Sequence, residues 1–180
     1  MTTRCKYHNS SEIGVFSVLT NTYCLIGVDQ TGKSDMFHNV LEHDLSDKIP
    51  FIQTTITKTQ VIGSMSNGNA KGLLVPSFIS EDEWKILKEN LPDNVKLGKI
   101  DGPISALGNC ISSNDSIALI HPEFSKENEE IIENILGVEV FRTTIAQNAL
   151  VGTYSKFNNK GGIVHPATTL EEYEELANLM

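Results

Sequence analysis

Cys24, Cys110, His121 and His165 are the side chains of this chain whose types would suit covalent or metal chemistry, thiolates as nucleophiles and imidazoles as bases or ligands. Their spacing argues against both uses. The cysteines, Cys5, Cys24 and Cys110, are odd in number and share no CxxC spacing, which suits neither a zinc knuckle nor a disulfide framework. His121 and His165 are each followed by proline at matching points of the sequence, and no carboxylate recurs with them at ligand spacing. Rings that pack and hydrogen-bond locally at strand ends account for them better than a metal pair. Gly68-Asn69-Ala70-Lys71-Gly72 has the glycines and lysine of a phosphate loop without its order, and the lysine does not open a helix, so a turn explains it. Glu129-Glu130 and the glutamates at 171, 172, 174 and 175 read as solvated helix faces. No catalytic residue, cofactor site or metal site is expected.

Charge narrows the partners. Lys and Arg number 14 against 23 Asp and Glu, a formal charge of −9, which disfavours a general RNA-binding module and leaves room for a basic protein partner. No apolar run approaches the roughly 20 residues of a membrane span, and no signal-peptide core opens the sequence, so the expected setting is cytosolic or nuclear, with no membrane partner.

What must position any site is a repeat. Gly72-Leu73-Leu74-Val75-Pro76, Ile117-Ala118-Leu119-Ile120-His121-Pro122 and Gly162-Ile163-Val164-His165-Pro166 are near copies, each followed by an acidic helical pattern. Glycines closing short apolar runs stand at 14, 63, 108 and 152, at intervals of 49, 45 and 44 residues. A period of this size marks an array of units, none of which buries its apolar face alone. The expectation is one domain over residues 1–180, with units near 5–50, 51–94, 95–138 and 139–180, each of about three strands and one helix. The helices are expected after Ser34, with Met36, Phe37, Val40 and Leu41 on one side, and after Ser80, whose capping box with Glu83 precedes Trp84, Leu87 and Leu91. A third runs from about Ser125 to Leu136, ended by Gly137, and a fourth starts at Thr168 capped with Glu171. The runs ending in Gly63, Gly108 and Gly152 read as strands, with the Asn67-Gly68 pair reversing the chain after the first of them.

If the units close toward a ring, equivalent connections emerge at equivalent ends. Asn21, Asn69, Asn109 and Asn114, which follow the unit glycines, would then line one polar face able to hydrogen-bond a flat partner, although ordinary turn chemistry explains the same amides.

The sequence also resembles a known family. Glu12-Ile13-Gly14-Val15-Phe16, Leu19-Thr20-Asn21-Thr22-Tyr23-Cys24-Leu25, Leu91-Pro92-Asp93, Ser105-Ala106-Leu107-Gly108-Asn109, Val138-Glu139-Val140-Phe141-Arg142 and Gly161-Gly162-Ile163-Val164-His165-Pro166 follow, in order and across nearly the whole chain, the pattern of the translation initiation factor 6 family in its eukaryotic form. The resemblance implies an α/β propeller of the pentein-like fold with pseudo-fivefold symmetry, of which this chain holds about four of five units and lacks the last unit and the C-terminal tail. It implies an anti-association factor that binds the large ribosomal subunit and blocks premature joining of the small one, and acts in late large-subunit biogenesis and export. The implied contact is chiefly a ribosomal protein near the sarcin-ricin loop, with limited rRNA contact. Release is implied to need the Shwachman-Diamond syndrome protein and an elongation-factor-like GTPase, and the locations are nucleus, nucleolus and cytoplasm. By position, Asn109 matches an asparagine of the family's ribosome-facing surface and Gly14 a glycine near it, whereas Ser64 stands where the family pattern has arginine. Penteins elsewhere include guanidine-modifying enzymes with a central cysteine, histidine and acidic residues, and that is the alternative reading.

Overall fold

A computed structural model describes residues 4–28 and 36–179, so Ser34 lies outside the described residues. Three sheets share one plan. In the first, β1 (Ser17–Leu19) runs antiparallel to β2 (Cys24–Gly27), α1 (Met36–Leu45) crosses over, and β3 (Phe51–Thr54) returns parallel to β2. The second has β4 (Asn67–Gly68), β5 (Gly72–Pro76), α3 (Glu81–Asn90) and β6 (Lys96–Ile100). The third has β7 (Ile111–Ser113), β8 (Ile117–Ile120), α5 (Lys126–Leu136) and β9 (Glu139–Arg142). The fourth pairs β10 (Ser155–Asn158) with β11 (Gly161–Val164) ahead of α7 (Leu170–Leu179), and β11 has one strand neighbour among the described residues. Grouped by shared sheets, the chain divides after Thr54, Ile100 and Arg142. A helical crossover is what a parallel return requires, since two parallel neighbours cannot be joined by a tight turn.

The middle strands are apolar throughout because both of their faces are buried. Leu73 and Val75 of β5 point into a core with Tyr23, Leu25, Ile62 and Leu87, while Leu74 between them enters the next core with Leu107, Ala118 and Ile132. In β8, Ala118 and Ile120 serve that second core, and Ile117 and Leu119 serve a third with Ile145, Val151 and Leu176. Strand alternation thus makes these three cores the joint property of neighbouring units, while a fourth, of Tyr7, Cys24, Ile26 and Phe37, belongs to the first unit alone.

The runs around the unit glycines depart from the expected strands. They form a 3-10 turn at Ile13–Val15 and three one-turn helices, α2 (Ile62–Met65), α4 (Leu107–Cys110) and α6 (Val151–Tyr154), each leading into the first strand of its sheet. Asn67-Gly68 accordingly lies within β4, and the reversal falls on Asn69-Ala70-Lys71. Apolar runs of four residues fit strand and helix equally, so periodicity could not choose between them. The geometry between units chooses. A Cβ at Gly63 would lie 1.9 Å from the carbonyl oxygen of Gly14, at Gly108 1.9 Å from that of Gly63, and at Gly152 2.3 Å from that of Gly108. Each glycine therefore receives the backbone of the glycine one unit earlier, a seam that a strand passing by could not make. A Cβ at Gly14 would meet nothing within 4 Å.

Helix ends follow local chemistry. Ser80 and Glu83 form the expected capping box, and Gly137 takes the left-handed conformation after α5, with φ of 61°. The last helix is capped one residue later than expected: Thr169 Oγ1 accepts from the Glu172 N–H and the Glu172 carboxylate accepts from the Thr169 N–H. The shift brings Glu172 within 3.1 Å of the Gln147 N–H, a contact Glu171 is not placed to make. Leu176 is buried, but Leu170 and Tyr173 of the expected apolar stripe are 73% and 57% exposed, so the stripe of α7 is only partly covered.

Candidate functional site

The five candidate residues fall at two ends of the inner strands. Gly14 and Asn109 sit where the 3-10 turn and the one-turn helices gather; Asn21, Asn69 and Asn114 sit at the other end, in or beside the turns that lead into β2, β5 and β8. The structure does not bring all five onto one face.

At the turn end, the amides of Asn69 and Asn114 are consumed inside the molecule, while the exposed Asn21 spends one N–H on Asp115. Asn69 is buried; its Nδ2 donates to the carbonyl oxygens of Asn114 at 3.0 Å and Leu136 at 2.9 Å, and its Oδ1 accepts from the N–H groups of Lys71 and Gly72. Asn114 repeats this one unit on, donating to Asn158 O at 3.3 Å and accepting from Ser116 and Ile117 N–H. Asn158 accepts from the Lys160 and Gly161 N–H in the same way. Each oxygen fixes its own turn, and the Nδ2 of Asn69 and Asn114 also clips that turn to the next unit. Asp115 is the hub of this end. Its carboxylate accepts from Asn21 Nδ2 at 3.2 Å, Ala70 N–H at 2.8 Å and Asn159 Nδ2 at 2.6 Å, so that the three other units meet on this side chain of the third. Burial pushes its carboxyl upward, but the bonds from Asn159, Ala70 and Asn21 and the charge of Lys71 outweigh this and hold it below the usual range. The turns surround a hollow of about 450 Å³, partly lined by Leu19, Ile49 and Phe157.

The short-helix end is different. The Asn109 N–H closes onto Ala106 O within α4, and its half-buried side-chain amide has no hydrogen-bond partner among the described residues. Ser64 and Thr153, the residues after Gly63 and Gly152, occupy the equivalent places in α2 and α6. The seam of glycines immediately before them holds this row of side chains at fixed spacing.

The cysteines and histidines lie apart from both sets in their chemistry. Burial pushes the Cys24 thiol up to about 12 and raises that of Cys110 as well, so both stay protonated and unreactive at neutral pH. His121 Nδ1 accepts from Glu123 N–H and His165 Nδ1 from Ala167 N–H, each at 3.1 Å, and the rings rest against Phe124 and Tyr154. These histidines build the turn after a strand, as their His-Pro context implies. Sequence reasoning overlooked Asp115, a plain acidic residue in a polar run, because its partners lie 44, 45 and 94 positions away.

Four sheet-and-helix units, joined by shared cores and a backbone seam, define a partial pentein-like α/β propeller. Residues 2–180 match the model of the eIF-6 family. The chain is 51% identical over all 180 residues to eukaryotic translation initiation factor 6 of Tetrahymena thermophila and 49% identical to that of Saccharomyces cerevisiae, covering all of this chain and 72% of each relative. Initiation factor 6-2 of Arabidopsis thaliana is 49% identical over the same span. The chain belongs to the eIF-6 family of ribosome anti-association factors, which bind the large subunit and hold off the small one, and it acts by occupancy rather than turnover.

Proposed function

We propose that the chain holds the large ribosomal subunit through its short-helix end, with Asn109 and Gly14 in the contact, while Asn21, Asn69 and Asn114 serve from the turn end by fixing how the units sit. One observation carries this reading. Among the candidate amides, Asn109 alone is unspent within the described residues, while Asn21, Asn69 and Asn114 bond to Asp115, Asn114, Leu136 and Asn158. An amide with free donors and acceptor, on backbone packed at Gly108 against the neighbouring unit, suits a partner's hydrogen-bonding groups with only its own rotamers left to order on binding. Blocking is then steric, since a protein seated on the joining face excludes the small subunit without chemistry.

The net charge of −9 favours a basic ribosomal protein over bare RNA as the chief contact, in keeping with a site beside the sarcin-ricin loop and a minor rRNA contribution. Release by the Shwachman-Diamond syndrome protein with an elongation-factor-like GTPase, and work in nucleolus, nucleus and cytoplasm, complete the proposed cycle.

The test is Asn109→Ser. Losing one neutral hydrogen bond costs about 0.5–1.5 kcal/mol, a weakening of roughly 2- to 13-fold. Affinity for purified large subunits should fall by that factor and subunit joining should recover in proportion, with thermal stability unchanged. Full folding with unchanged affinity would sink the assignment of Asn109.

A further inference from the structure

The outer side of the second unit carries a groove that the ribosome-facing reading leaves unused. Among the described residues β6 is an edge strand, bonded to β5 alone. The Lys96 N–H bonds to Lys71 O and the Ile100 carbonyl accepts from Ser77 N–H, so residues 96, 98 and 100 turn their backbone groups to β5. In a parallel ladder the alternate residues, Leu97 and Lys99, then turn theirs outward. Such an edge is a template for a further strand.

The side chains above that edge are anomalous for the repeat. In the third unit, Arg142 at the end of β9 bonds twice to the carboxylate of Glu129 in α5 and also to the carbonyl oxygens of Pro122 and Phe124. In the first, Gln53 of β3 meets His38 of α1. Both strand side chains are satisfied inside their own unit. Glu129 stands four residues after the capping Ser125; four residues after the capping Ser80 stands Trp84. The strand partner there, Lys99, lies with Nζ 4.6 Å above the indole ring. A ring face attracts an ammonium but leaves its other side to solvent. Among the described residues neither Lys99 nor Lys88 has an ion pair, whereas Lys85 is engaged with Glu89 at 3.8 Å. Unit two thus keeps the cation of this position and lacks its anion.

The space beside it is open. A hollow of about 440 Å³ lies among Trp84, Lys85, Lys88 and Lys99, with Glu81 and Asp82 at its border. A second, of about 300 Å³, continues from Trp84 and Lys88 over Leu91, Val95 and Leu97, with Pro92 and Asp93 also in its wall. We propose that this groove docks an extended acidic segment of another protein. Its backbone pairs with the free edge of β6, a carboxylate takes at Lys99 and Lys88 the part Glu129 plays in unit three, and an apolar side chain lies on Trp84 and Leu97. This is strand addition with a charge register. Glu81 and Asp82 in the first hollow and Asp93 in the second repel acidic residues, which confines the segment's carboxylates to the stretch between them at Lys99 and Lys88.

Trp84 is the only tryptophan of the chain, so its emission reports the site directly. The probe is acetyl-Asp-Glu-Phe-Asp-Glu-amide, titrated into the 180-residue chain at low salt. A saturable change in emission is expected, with Lys99→Gln and Lys88→Gln each weakening binding roughly two- to fivefold, and Lys126→Gln, on another unit, leaving it unchanged. Folding of each variant is checked by circular dichroism. N-methylating alternate residues of the peptide should abolish binding, because strand pairing is lost. Titrations of the wild type and of the Lys99 and Lys88 variants that coincide, an N-methylated peptide that binds as well as the parent, or a uridine octamer that binds where the peptide does not, would each overturn the proposal.

Discussion

Glu83 shows how much one side chain settles in this molecule. Its carboxylate accepts from Thr55 Oγ1, from the N–H groups of Thr57, Lys58 and Ser80, and from Ser80 Oγ, so it both caps α3 and fills a turn whose residues Thr57 and Lys58 have positive φ. In unit three the same place is held by Asn128, whose amide donates to Asp101 O at 2.7 Å. The turn beside it contains Pro103, which has no N–H to offer a carboxylate, and the side chain there acts as a donor instead. Burial pushes the Glu83 carboxyl upward, but the bonds from Thr55, Lys58 and Ser80 prevail and hold it below its ordinary value. For a depressed carboxyl the stabilisation is complete above the unfolded value, about 4.3, and fades as pH falls through the lower folded value. Asp115 carries the same sign. Urea midpoints should therefore drop below about pH 4, and Glu83→Gln should cost about 1–3 kcal/mol at pH 7 with a flatter acid limb. An acid limb as steep in the variant as in the wild type would assign the titration elsewhere.

At the scale of elements, the one-turn helices carry the sharpest contrast. Gly108→Ala drives a Cβ against Gly63 O and should cost about 1–3 kcal/mol or more, whereas Gly14→Ala enters open space and should alter stability by less than about 0.5 kcal/mol. Chemical denaturation of the two variants decides it; equal losses would mean that the seam does not bear on stability. Gly14→Ala is also the cleaner probe of the proposed contact, because a changed subunit affinity could not be blamed on folding. These helices explain where reading the sequence succeeded and where it stopped. The repeat, the apolar middle strands, the Ser80 box and the Gly137 stop were legible because each is a local pattern tied to one backbone geometry. The conformation at Gly63, Gly108 and Gly152 was not, because a neighbouring backbone decides it. The asparagines were found but not sorted: Asn69 and Asn109 look alike in sequence, and only their partners one unit away separate a clip from an unspent amide.

Across the whole molecule, an arc of units turns these local choices into a rigid face. Asn69→Ala should lower the melting temperature by releasing Asn114 O and Leu136 O, and should weaken subunit binding only as far as it unfolds the chain. Binding corrected for the folded fraction measures this; a separate loss of affinity would put Asn69 itself in the contact. Inhibition of subunit joining should saturate at one chain per large subunit and show no dependence on Cys24 or Cys110, whose serine variants should block joining as well as the parent once folding is matched.

The glycine seam has a bearing on inheritance. Neighbouring units touch where a carbonyl oxygen rests on a Cα bearing no side chain. An exchange of Leu, Ile or Val in a core leaves that contact as it is, whereas any side chain gained at Gly63, Gly108 or Gly152 meets it head-on. The filling of this molecule is thus open to drift, and its joints are not.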